Sequence, residues 1–165
     1  MKMQFVIVLA FLISLAPNFA LAKDYFEGRV VSVIDGDTII VLDQNKTEIK
    51  VRLISIDAPE KEQPFGEKAK QMLSDLCFNW PVVVKTTSKD QYGRVLGQVY
   101  LRDVEITDGN AEMVKRGGAW VYRRYSTDAS LLKLEEEARI EKRGLWALQE
   151  DQRIPPWEWR RKPHE

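Results

Sequence analysis

The side chains most often used for acid–base work are scarce in this chain. Its one histidine is His164, the penultimate residue, and its one cysteine is Cys77. Histidine is the side chain that changes charge near neutral pH. Two-histidine hydrolysis and His/Cys zinc sites are therefore excluded, and any catalysis has to run on carboxylates and arginines, with a hard cation as the natural partner of the carboxylates. Three clusters carry such residues: Asp35-Gly36-Asp37, Arg52 followed by Asp57-Ala58-Pro59-Glu60, and Asp90-Gln91-Tyr92-Gly93-Arg94. Singly, each has an ordinary explanation. Asp-Gly is a common hairpin turn, Asp-Ala-Pro-Glu is an acidic loop, and Tyr-Gly-Arg is a turn with a solvated arginine.

The elements around these clusters must position them. Phe26 to Ile34 and Thr38 to Leu42 are β-branched runs on either side of Asp35-Gly36-Asp37, which predicts a hairpin. In the next strand Ile49, Val51 and Leu53 alternate with Glu48, Lys50 and Arg52. A period of two puts Arg52 on the face opposite the apolar trio. Pro59 disfavours helix before it and opens a loop. Between Gly66 and Cys77 the apolar residues Ala69, Met72, Leu73, Leu76 and Cys77 fall on one helical face. Cys77 thus reads as a buried, inert thiol.

Pro81 to Thr87 and Val95 to Leu101 read as fourth and fifth strands, with Ser88 to Gly93 a polar loop between them. Asn110 to Arg116 reads as a short helix. A third helix is expected after Asp128 as N-cap, running to Arg143 with Gly144 as its stop. Its stripe is Leu131, Leu134 and Ala138; Ile140 does not fit it, and Glu135-Glu136-Glu137 reads as its solvent face. Trp80, Trp120 and Trp146 read as core or near-core aromatics, and Trp157 and Trp159 as residues that pack the tail onto the domain. The fold class expected is α+β: a five-stranded Greek-key β-barrel of the OB type with three helices, a kind of barrel that binds nucleic acid or sugars on one face.

In their order and spacing the three clusters resemble the staphylococcal nuclease (thermonuclease) family. The matching segments are Val33-Ile34-Asp35-Gly36-Asp37-Thr38, Val51 through Glu60, and Asp90 through Arg94. Later landmarks are Gly117-Gly118-Ala119-Trp120-Val121-Tyr122 and Arg143-Gly144-Leu145-Trp146. The resemblance covers about Phe26 to Trp146. Pro155-Pro156-Trp157-Glu158-Trp159-Arg160 looks like the tail of bacterial secreted members.

The resemblance implies a calcium-dependent endonuclease that hydrolyses phosphodiester bonds in DNA and RNA and leaves 3′-phosphate ends. Single-stranded or frayed substrate is expected, because a flexible strand brings its phosphate into a narrow cleft more easily. Such hydrolysis builds negative charge on phosphoryl oxygens, which a metal ion and guanidinium groups stabilise. By similarity Asp37, Asp57 and the main-chain carbonyl of Ala58 bind Ca2+, with Asp35 supporting them from behind. Arg52 and Arg94 grip the phosphate as planar forks. Glu60 orients or activates the attacking water. Tyr92, Tyr122 and Tyr125 are candidates for substrate contact, including base stacking.

The chain of 165 residues has the length of one domain. Its first 22 residues read as a secretory signal peptide: Lys2, an apolar run from Phe5 to Ala16 broken only by Ser14, then Pro17 and Ala20-Leu21-Ala22. That run is shorter than the ~20 residues of a membrane span. The expectation is an exported monomer, periplasmic or extracellular, without membrane attachment after cleavage. Residues 23–148 form the domain and 149–165 the tail. Its 25 basic and 25 acidic side chains balance, and loss of Lys2 leaves a slightly acidic chain, unlike a protein that coats DNA in bulk. Lys115-Arg116, Arg123-Arg124 and Arg160-Arg161-Lys162 read first as solvated surface and, more sharply, as a nucleic-acid rim. The alternative function is a non-catalytic nucleic-acid-binding OB module. Asp37, Arg52, Asp57, Glu60 and Arg94 are all present, which favours the enzyme.

Overall fold

A computed structural model describes residues 24–102 and 105–161. The leader, Lys162 and His164 lie outside the described residues. Strand β1 (Tyr25–Asp35) turns through Gly36-Asp37 into β2 (Thr38–Asp43), which pairs antiparallel with β3 (Glu48–Leu53). A two-residue β4 (Ile56–Asp57) and helix α1 (Gly66–Cys77) follow. Next come β5 (Pro81–Lys89) and β6 (Val95–Arg102). The order β3-β2-β1-β5-β6 closes on itself, because β3 also runs parallel to β6 with Val51 opposite Val95 and Leu53 opposite Gly97. This is the five-stranded barrel expected, with helices around it.

Short elements complete the chain. β7 (Ile106–Asp108) pairs antiparallel with β6 and leads into α2 (Gly109–Lys115). β8 (Trp120–Val121) pairs with β4, and α3 covers Ala129–Ile140. A 3-10 turn at Gly144–Ala147, another at Glu150–Gln152 and a single helical turn, α4 (Pro156–Trp159), end it.

Period-two alternation in β3 holds: Val51 and Leu53 are buried, Glu48 and Lys50 exposed. The barrel interior is a valine- and isoleucine-rich core, including Val30, Ile39, Val41, Val82 and Val84, joined by Ala69, Leu73 and Cys77 of α1. Each buried valine, isoleucine or leucine contributes roughly 1.5–3 kcal/mol by leaving water. Asn110 ties α2 to the barrel. Its Oδ1 accepts from the Val99 N–H at 3.0 Å and its Nδ2 donates to the Ile54 carbonyl at 2.9 Å. A second cluster gathers Trp120, Ala138, Leu145 and Trp146, with Phe65 and Trp157 packed against it.

Several details depart from expectation. β5 reaches Lys89 across a register shift between Thr86 and Ser88, so its polar end is strand rather than loop. The third helix stops at Ile140, because Lys142 takes the left-handed turn (φ 52°) that ends it. Gly144 is needed for another reason: a Cβ there would lie 2.3 Å from the Gly117 carbonyl oxygen. Trp80 is 40% exposed rather than in or near the core; it sits just after Asn79, whose left-handed φ of 63° turns the chain from α1 into β5. Glu135 is buried, not on the solvent face. It lies four residues after Leu131 and three before Ala138, on the same helical face. There it accepts the Val121 N–H at 2.8 Å and pairs with Arg123 at 2.5 Å and Arg139 at 3.3 Å.

Candidate active site

The site begins with the β1–β2 turn. Asp35 Oδ1 accepts the Asp37 N–H at 3.0 Å, a side-chain-closed turn. Gly36 lets this turn sit against the next loop: a Cβ on it would meet the Ala58 Cβ at 2.6 Å and the Ala69 Cβ at 2.8 Å. Asp37 is thereby pressed onto the Ala58 backbone, whose N–H donates to Asp37 Oδ2 at 2.7 Å. The Leu53 N–H donates to the Asp37 carbonyl at 2.8 Å, which sets the turn beside the end of β3.

Arg52 stands between the two acidic loops. Its Nε lies 2.9 Å from Asp37 Oδ1, its Nη2 2.9 Å from Asp57 Oδ1, and its Nη1 donates to the Ile56 carbonyl at 3.0 Å and to the Leu53 carbonyl. Ser55, at φ 67°, makes the tight turn that brings β4 back under β3. β4 then holds Asp57 in register opposite Trp120. Asp37 and Asp57 are both buried. Burial pushes the Asp37 carboxyl up, to about 7; Arg52 opposes the rise, Asp35 adds to it, the Ala58 N–H opposes it and Asp57 adds again.

Glu60 lies on a loop folded back on itself. Its N–H donates to Gln63 Oε1 at 3.1 Å, and its carbonyl accepts the Gln63 N–H at 2.9 Å. A side chain at Gly66 would collide with that carbonyl at 1.9 Å. Arg94, at the start of the β6 side, is steered by Asp90: Nε to Oδ2 is 2.7 Å, and the Arg94 N–H donates to Oδ1 at 3.0 Å. Slight desolvation of Asp90 is outweighed by hydrogen bonds from Arg94 and from the Tyr92 N–H, which hold its carboxyl below the usual range.

All ten residues singled out from the sequence line one cleft of about 700 Å³: Asp35, Asp37, Arg52, Asp57, Ala58, Glu60, Tyr92, Arg94, Tyr122 and Tyr125. Tyr92 and Tyr125 are strongly exposed there. Tyr122 is different: its ring stacks on Trp157 at 5.4 Å and 7°, and Tyr125 meets it edge-on at 4.9 Å.

Arg160 also lines the cleft, and sequence reasoning left it out of the site. Its basic run reads in sequence as solvated surface or a nucleic-acid rim, with no link to Asp57 or Glu60. In the fold its Nη2 lies 2.8 Å from Asp57 Oδ2 and its Nη1 2.6 Å from Glu60 Oε1. Partial desolvation works against its charge, but the bonds to Asp57 and Glu60 outweigh that and push the guanidinium above its ordinary value. The only local signal was the aromatic and proline content of the tail, which marks a segment built to dock.

A model of the staphylococcal nuclease homologue family matches residues 50–148. The chain belongs to the staphylococcal nuclease family. Among its relatives in the family, an uncharacterized endonuclease of Escherichia coli is 47% identical over 133 residues, 81% of this chain and 84% of that protein. A protein named micrococcal nuclease from Shigella flexneri is 46% identical over 144 residues, 82% and 81% of the two chains. Protein ParB of Escherichia coli is 42% identical over 161 residues, 93% and 87%. The family match ends before the tail that carries Arg160.

Nucleases of this family depend on a metal ion. The donor chemistry here fits a hard cation: Asp37 and Asp57 are carboxylates of one cleft, and a buried carboxyl pushed toward neutrality gains from a positive charge beside it. Among the described residues no three acidic, histidine or cysteine side chains converge on one point. An ion would rest on Asp37, Asp57, the Ala58 carbonyl and water.

Proposed function

We propose that this chain is a calcium-dependent endonuclease. It hydrolyses phosphodiester bonds in DNA and RNA, acts best on single-stranded or frayed substrate, and leaves 3′-phosphate ends. The observation that carries the reading is the convergence of Arg52, Arg94 and Glu60 with Asp37 and Asp57 in one cleft. The relatives named as nucleases support it. A bound calcium ion would supply positive charge to the phosphoryl oxygen and order water beside it.

The chain's own residues do the rest. Arg52, already aligned by Asp37 and Asp57, presents a fixed fork whose charge meets the charge developing on the phosphoryl oxygens. Arg94, aligned by Asp90, meets it from the other wall. Glu60 orients a water and takes its proton as the water oxygen bonds to phosphorus. The bond from phosphorus to the 5′-oxygen breaks, the leaving 5′-oxygen takes a proton from solvent, and the phosphate stays on the 3′ side. Exposed Tyr92 and Tyr125 offer faces to bases without reading their identity. The leader-like segment supports export to the periplasm or medium, and the enzyme acts there as a monomer, free of the membrane.

The test is cleavage of single-stranded DNA by the chain from Lys23 onward, in calcium and in a chelator. Calcium-dependent cleavage with 3′-phosphate ends is expected. Folded protein that binds but does not cut would make it a binding module instead.

A further inference from the structure

The tail returns to the site from outside the region that the family model matches. Gln63 Nε2 donates to the Ile154 carbonyl, joining the tail to the loop that carries Glu60. Trp157 stacks on Tyr122 and meets Trp120 edge-on at 5.9 Å. Arg160, just past α4, is thus delivered into the cleft 100 residues after Glu60 and 103 after Asp57.

We propose that Arg160 is a positioning residue of the active site, holding the Glu60 carboxylate in a fixed relation to Asp57. Glu60 stands at the mouth of the cleft with its side chain 40% exposed. On a loop, a long side chain so exposed samples several rotamers. Among the described residues its carboxylate takes a hydrogen bond from Arg160 Nη1 at 2.6 Å, and the same nitrogen reaches Asp57 Oδ1 at 3.2 Å. Nη2 closes the fork on Asp57 Oδ2 at 2.8 Å. Asp57 is buried on a paired strand, so the planar guanidinium ties Glu60 to a packed part of the fold. The Trp157 stack anchors the helical turn that immediately precedes Arg160. The C-terminal segment therefore completes the machinery that directs the water.

This inference rests on the proposed nuclease reading. A rival role for the same contacts is simple competition with the cation at Asp57, and it has the opposite sign. The experiment uses Arg160→Ala, Arg160→Lys, Glu60→Gln and the double variant Arg160→Ala/Glu60→Gln. Kinetics are measured on a single-stranded oligonucleotide at saturating calcium, with calcium affinity by calorimetry and Glu60 side-chain order by 13C relaxation in metal-free protein.

Arg160→Ala should lower kcat about 10- to 100-fold, the scale for misplacing a reacting group, with KM nearly unchanged. Guanidinium ion should restore part of the loss, and lysine should restore less than the native fork. The double variant should be no slower than Glu60→Gln, since both remove one coupled function. Glu60 should become mobile. Unchanged kcat, strictly additive losses, or a rise in both calcium affinity and turnover would overturn the proposal; the last outcome would make Arg160 a competitor of the ion. If the wild type fails to cut, the nuclease reading fails, and Glu60 relaxation still decides whether Arg160 positions it.

Discussion

Arg52 Nη2 stands 2.9 Å from Asp57 Oδ1, with the arginine side chain 13% and the aspartate 1% exposed. Their bond joins the end of β3 to the start of the Asp57–Glu60 loop, so in the proposed mechanism the same contact serves shape and chemistry. Arg52→Ala should therefore fail in both respects. Cleavage should fall at least about 10²-fold, the scale for one strong transition-state donor. Stability should fall by about 3–5 kcal/mol, the scale for breaking a buried ion pair. Arg94 pairs with Asp90 at the cleft mouth, half-buried but within reach of solvent, where such a pair contributes about 0–1 kcal/mol. Arg94→Ala should lose comparable activity with its urea midpoint almost unmoved. Matched stability losses in the two variants would show that this division of roles is wrong.

Glu60→Gln keeps an acceptor for Arg160 and removes the proposed base. Turnover should drop by about 10² or more, within the range for general base catalysis, while calorimetric calcium affinity stays near wild type. A large loss of affinity would make Glu60 chiefly a ligand.

Asp37 gives the pH dependence. Its carboxyl is raised from 3.8 to about 7 in the folded chain, chiefly by burial. The fold thus favours the protonated form, and the ionised form costs stability at pH values above 3.8, increasingly until about 7. A cation binds the ionised form. Calcium should raise the Tm more at pH 8 than at pH 6, and Asp37→Asn should abolish that difference. Equal calcium shifts at both pH values in the wild type would count against Asp37 as a ligand.

Glu135 supports the site from behind, because it accepts the N–H of Val121 in β8, the strand paired with β4. Glu135→Ala leaves that buried N–H unpaired and frees Arg123 and Arg139. The cost should be at least about 1–3 kcal/mol, read by denaturant melts, with some loss of cleavage as Asp57 loosens. A variant as stable as wild type would mean that water replaces the carboxylate at no cost.

Cys77 tests the core. Burial pushes its thiol up to about 12, so essentially no thiolate exists at pH 8. A disulfide reagent should leave the folded protein untouched and titrate one thiol in guanidinium chloride. Rapid reaction under native conditions would mean that α1 opens.

The sequence by itself determined the barrel and most of the site. β-branched alternation defines the strands, helical spacing defines α1, and Asp35, Asp37, Arg52, Asp57, Glu60 and Arg94 were visible because they cluster within short segments whose local geometry is fixed by turns. Their types already limited the chemistry to carboxylates, guanidinium and a hard ion. Only the tertiary structure decided the rest. Glu135 could be assigned to the solvent by its acidity, yet Val121, Arg123 and Arg139 supply enough partners to bury it. Arg160 lies 100 residues from Glu60, and no periodicity reports a contact at that separation. What brings it in is the stacking of Trp157 on Tyr122, a packing energy between surfaces that exist only after the barrel has closed.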